Sequence, residues 1–93
     1  MVDVEISKRK ERLRRLFDLI VQNPGWTLAK LMGEFCWQIG VREELFEKYM
    51  KVLNHRGMVV VFYEPGIGEL VYEKGVFESM KVREMGQEKL LGV

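Results

Sequence analysis

Scarcity narrows the reading of this chain. It has one cysteine, Cys36, one histidine, His55, and two prolines, Pro24 and Pro65. A lone cysteine excludes an internal disulfide and suits a reducing, cytoplasmic setting. With one histidine and one cysteine there is no donor set spaced for zinc, so no metal is expected. No Ser/His/Asp arrangement can be built without His55. Pro65-Gly66-Ile67-Gly68 lacks the Lys-Ser/Thr that follows in a phosphate loop. Catalysis and cofactors are therefore not expected. The longest apolar runs are short, such as Met58 to Tyr63. A membrane helix needs about 20 apolar residues, so no span is expected. The opening MVDVEISKRK has no apolar stretch ahead of a cleavage site, and no secretory leader is expected. Only two Asn and three Gln accompany twelve Glu, which leans towards a thermophile, although six Met lean the other way.

What is present suits one domain over residues 1–93. The composition is 47% hydrophobic, enough for one modest core, and 31% charged. The net charge of +1 hides an asymmetry. Residues 1–30 hold seven Lys/Arg and four Asp/Glu, or +3, whereas residues 31–93 hold eight and ten, or −2. Six of the eight residues Lys8–Arg15 are basic and one is acidic. Any footprint for a polyanion is expected there.

Val2, Val4 and Ile6 alternate with polar residues, as in an edge strand or an arm (residues 1–7). Ser7 can cap a helix over about 8–22, with Leu13, Leu16, Phe17 and Ile20 on one face. Asn23-Pro24-Gly25 stops it. Thr27 then fits an N-cap, with Trp26 as half of a hydrophobic staple. Leu28, Leu31, Met32, Phe35, Cys36 and Ile39 make the stripe of a second helix that ends at Gly40. Cys36 is read as a small core residue, and Trp37 as closing the far side of the core. A third helix runs over about 42–56, with Phe46, Tyr49, Met50 and Leu53 inward and Gly57 after its end. Met58–Tyr63 and Leu70–Tyr72 read as strands around the turn 65–68. Residues 76–82 fit a third strand or the return of a longer wing, and 84–91 a short closing helix.

These residues resemble a known family. The run Gly40-Val41, then Phe46, Met50 and Leu53, then Gly57-Met58-Val59 is similar to the turn, recognition helix and wing entry of winged helix-turn-helix domains. Pro24-Gly25-Trp26-Thr27-Leu28 resembles the entry to that family's second helix. Residues 82–91, VREMGQEKLL, look like the ending of PadR-like and archaeal regulators, with Arg83 where that ending has threonine. The resemblance implies an α+β winged helix-turn-helix fold, a three-helix core plus a β-hairpin wing. It also implies double-stranded DNA as partner and a small transcriptional regulator of archaeal or viral type.

In that family the third helix enters the major groove. Here its outward stripe holds Glu44, Glu47, Lys48, Lys51 and His55, at about 100° per residue. Arg42, Lys48 and Lys51 are candidate DNA contacts, and Glu44 a candidate acceptor from cytosine. Glu44–Lys48 and Glu47–Lys51 are also spaced as ion pairs on a solvated face. Arg9, Arg12 and Arg15 of the first helix are candidate phosphate contacts; the same block also reads as a solvated outer face. The wing carries Glu64 and Glu69 and no base at its tip, where Ile67 can instead contact a protein. A winged-helix interaction module in a replication, transcription or assembly complex is the second reading. A homodimer would use the arm, the first helix or the wing.

Overall fold

The computed structural model describes the backbone of residues 2–81 and the side chains of residues 7–81. Among the described residues the architecture is α+β. Helices α1 (Val2–Gln22), α2 (Leu28–Ile39) and α3 (Glu43–His55) are joined by strands β1 (Trp26–Thr27), β2 (Val59–Glu64) and β3 (Gly68–Glu73). A fourth helix, α4, covers residues 74–81. The strands form one antiparallel sheet in the order β1-β3-β2.

Local chemistry sets the boundaries. The Thr27 hydroxyl accepts from the Lys30 N–H at 3.2 Å and starts α2. Gly40 ends it in the left-handed conformation, φ 76°, with its N–H on the Cys36 carbonyl at 2.8 Å. A residue with a Cβ resists that conformation. The chain therefore reverses within three residues and α3 packs back on α2. Arg42 caps α3 with extended backbone and no side-chain bond. Glu43 and Glu44 fill its first turn, where negative charge offsets the positive end of the helix dipole. The acidic start of α3 thus has a structural cause.

All three long helices and the sheet close on one core. Leu16 and Ile20, Leu31 and Phe35, then Phe46, Tyr49, Met50 and Leu53 meet Val59 and Val71, all buried. Phe35 sits at the centre, its ring 6.0 Å from Phe46 and 6.3 Å from Tyr49. The apolar stripes expected of the helices face this core, with Leu13, Phe17, Leu28, Met32, Cys36 and Ile39 half-buried at its margin.

Three expectations are corrected, and one element is added. Residues 2–7 are the first turns of α1, not an arm or edge strand. Their alternation is outweighed by continuity with a strongly helical stretch. Trp26–Thr27 adds a short strand, pairing Trp26 with Val71 and Thr27 with Leu70. Trp37 does not close the core: it lies opposite Phe35 and Ile39 around α2 and is 86% exposed. Residues 76–81 are helical, not a third strand. Both carboxylate oxygens of Glu73 accept from the Gly75 and Val76 N–H groups at 3.0 Å, capping α4. Phe77 then packs on Phe62 and Tyr72, both 5.7 Å away between centroids. The helix expected over 84–91, and the part of the family resemblance in 82–91, lie outside the described residues.

Candidate nucleic-acid interface

The face of α1 that builds the core repeats at Leu13, Leu16 and Ile20. Arg9 stands four residues before Leu13 and seven before Leu16, on this same face. The basic block is therefore not confined to a solvated outer face. Where α1 runs past the core, its inward side becomes cationic.

There it meets α3 across an open groove of about 660 Å³ lined by Lys8, Arg9, Arg12, Leu45, Lys48 and Tyr49. Four of the six lining residues are cations and none is an acid. Tyr49 is buried and forms the floor with Leu45. Arg12 also lines a second groove, of about 220 Å³, with Lys8, Glu11, Arg15, Gln38 and Ile39. The two grooves share Lys8 and Arg12, so positive charge continues from α3 across α1 to the end of α2.

The candidate residues divide accordingly. Arg9, Arg12 and Lys48 come together in the first groove. Arg15 sits in the second, 3.5 Å from Glu11, in an exposed i,i+4 ion pair. Such a pair contributes little to stability, about 0.3–0.5 kcal/mol. Arg42, Glu44 and Lys51 are exposed on α3 and line neither groove. Neither Glu44–Lys48 nor Glu47–Lys51 closes an ion pair among the described residues, contrary to the spacing argument. On a wet surface the screened attraction is largely offset by the rotamer freedom that two long side chains would lose. Lys8, Leu45 and Tyr49 are lining residues that the candidate set omitted. Extending the core stripe of α1 backwards and reading Leu45, Lys48 and Tyr49 as the α1-facing flank of α3 would have found them.

The other flank of α3 has the opposite character. Glu47 lines an apolar groove with Met32, Phe46, Ile67 and Glu69, below the β2–β3 turn. Ile67 at that turn is 63% exposed. The helix thus has a basic side towards α1 and an acidic, apolar side towards the hairpin.

His55 is exposed in the last turn of α3. Burial, then the charge of Glu43, raises the pKa of the half-buried Cys36 thiol. Among the described residues no three His, Cys, Asp or Glu side chains cluster as a metal site, and no helix is long and apolar enough to cross a membrane. Comparison of the chain with family profiles, characterised proteins and solved structures gave no match.

Proposed function

We propose that this protein is a winged-helix-like DNA-binding protein, a small transcriptional regulator that holds duplex DNA across α1 and α3. The observation that carries this reading is the groove in which Arg9, Arg12 and Lys8 face Lys48 without a carboxylate. Like charges repel, and a groove lined by them is relieved by an anion between its walls. A phosphate backbone supplies a row of such anions. In this reading Lys8, Arg9, Arg12 and Lys48 neutralise phosphates. Arg42, Glu44 and Lys51, on the outer face of α3, reach base edges in the major groove. Arg15 extends the phosphate track along α1. The hairpin, with Glu64 and Glu69 beside its tip, takes no part in backbone contact.

The test is fluorescence anisotropy of a labelled mixed-sequence duplex over a range of salt. Binding should weaken steeply as salt rises. Replacing Arg9, Arg12 and Lys48 together with Gln should lower the slope of log K against log salt by about 3. Absence of binding at low salt, or an unchanged slope in the triple variant, refutes the reading.

A second reading rests on a different observation. Ile67 is exposed between Glu47 and Glu69, over an apolar groove of about 400 Å³. This favours an interaction module that meets a protein partner at the hairpin tip. An Ile67→Asp variant that still binds DNA but loses a protein partner would support it.

A further inference from the structure

Helices α1 and α3 border another groove, which shares no residue with the cationic ones. It has a volume of about 490 Å³ and lies between the middle of α1 and the last turns of α3. Its floor is apolar, with Leu13 and Phe17 from α1, Val52 and Leu53 from α3, and Met58 just before β2. Leu53 is buried, whereas Leu13, Phe17, Val52 and Met58 are only half-buried. Four apolar side chains at the margin of the core thus keep contact with water in one place. Sites for small molecules are typically about 300–1,000 Å³, mostly apolar, with a few polar groups that fix orientation.

The rim of this groove is charged and unbalanced. Lys10 and Arg14 stand one turn apart on the α1 wall, and Arg56, the C-cap of α3, stands on the other. All three are exposed, and among the described residues none lies within ion-pair distance of a carboxylate. Asp18 is the one acid among the described lining residues. It is spaced i,i+4 from Arg14 yet closes no ion pair with it. Three cations therefore stand against one anion. The groove below the hairpin makes the opposite case. It is similar in size, about 400 Å³, and also apolar, but its described lining includes Glu47 and Glu69 and no lysine or arginine. Two comparable apolar grooves on one molecule thus carry rims of opposite sign.

We infer that the groove between Leu13 of α1 and Val52 of α3 binds a small amphiphilic carboxylate, a molecule with an apolar body and an anionic head. The body displaces water from Leu13, Phe17, Val52 and Met58, which is favourable in proportion to the apolar area covered. The head is held by Arg14 and Arg56, whose planar guanidinium forks match the two oxygens of a carboxylate. Lys10 adds a point charge on the α1 wall. A neutral amphiphile gains the apolar contact alone, and a cationic one meets like charge. The dimensions favour a small molecule over a protein helix. From Lys10 to Asp18 the α1 wall is about 12 Å long, at about 1.5 Å per residue. A partner helix of ordinary length, about 11–12 residues, spans about 17 Å and overruns the apolar floor. Arg9, Arg12 and Lys48 do not line this groove, so the inference stands or falls separately from DNA binding.

The test is methyl NMR of the full chain titrated with decanoate below the concentration at which it forms micelles. The methyl signals of Leu13, Val52, Leu53 and Met58 should shift, and those of Met32 and Ile67 in the hairpin groove should not. Octanoate should bind up to about 15-fold more weakly, for two fewer buried methylenes. Decanol, which has no charge, should bind severalfold more weakly than decanoate. Replacing Lys10, Arg14 and Arg56 together with Gln should remove that preference and leave decanol binding unchanged; all three are exposed, so the fold should persist. Val52→Glu sets a carboxylate on the floor and should abolish decanoate binding with an unchanged far-ultraviolet spectrum. Absence of decanoate binding, equal shifts in both grooves, or a triple variant that still prefers decanoate to decanol would each overturn the inference. So would binding at these methyls of a Glu-rich amphipathic helical peptide but not of decanoate.

Discussion

Arg9 of α1 and Lys48 of α3 face one groove from opposite walls, and no acidic side chain stands between them. Arg9 occupies a position that three turns of core-facing residues would assign to leucine. The helix pair therefore holds a local repulsion on the free protein that a bound anion would remove. Lys48→Glu should relieve it, adding about 0.2–1 kcal/mol of stability as a surface ion pair. If the groove holds duplex DNA as proposed, the same change should abolish that binding. Thermal melting and anisotropy on one preparation check both signs; a variant that loses both stability and binding would contradict this placement of Lys48.

Phe35 is the point at which α2 touches two rings of α3. Phe35→Ala should cost about 3–5 kcal/mol, from lost apolar transfer and the cavity left behind. Urea denaturation should show a midpoint shift without a large change in slope. A loss below about 1 kcal/mol would mean that the core closes without this contact.

Two glycines should respond to alanine with opposite signs. Gly25 has φ 83°, and a Cβ there would lie 3.1 Å from the Tyr72 hydroxyl oxygen. Gly25→Ala should destabilise by roughly 1–2 kcal/mol or more. Gly33 lies within α2 with nothing within 4 Å of an added Cβ. Gly33→Ala should stabilise by about 0.5–1 kcal/mol. Paired chemical denaturation curves decide it.

Glu73 holds the Gly75 and Val76 amides with its two carboxylate oxygens. Glu73→Ala should cost about 0.5–2 kcal/mol, the range for a lost cap. Hydrogen exchange at Gly75 and Val76 should accelerate more than exchange in α3. Uniform acceleration across the chain would point to global destabilisation instead.

The raised pKa of Cys36 predicts slow alkylation. Thiolate is the reacting form, so burial lowers its fraction at a given pH. At pH 8 iodoacetamide should react more slowly with the folded chain than with the chain in urea. Equal rates would show that Cys36 is neither desolvated nor shielded.

Much of the fold was legible because it follows from local rules. The four inward residues of α3, the Thr27 cap and the Gly40 stop each depend on neighbours within one or two turns. The candidate interface was legible only in part. The basic block of α1 was evident, but its partner on α3 was not, since Arg9 and Lys48 are far apart in sequence. Glu44 and Glu47 read as ion-pair partners of Lys48 and Lys51, yet Glu44 serves the helix end and Glu47 turns towards the hairpin.

By itself the sequence determined which faces of the helices are apolar, where each helix of the core stops, and that positive charge gathers near the start of the chain. These are matters of periodicity, capping and composition, which act over a few residues. Tertiary structure alone decided that α1 overshoots the core so that its inward face turns cationic opposite α3. It also decided that Trp26–Thr27 joins the sheet and that residues 74–81 fold as a helix over Phe62 and Tyr72. Each of these depends on contacts between segments distant in the chain, whose free energy outweighs local preference only once the core has formed.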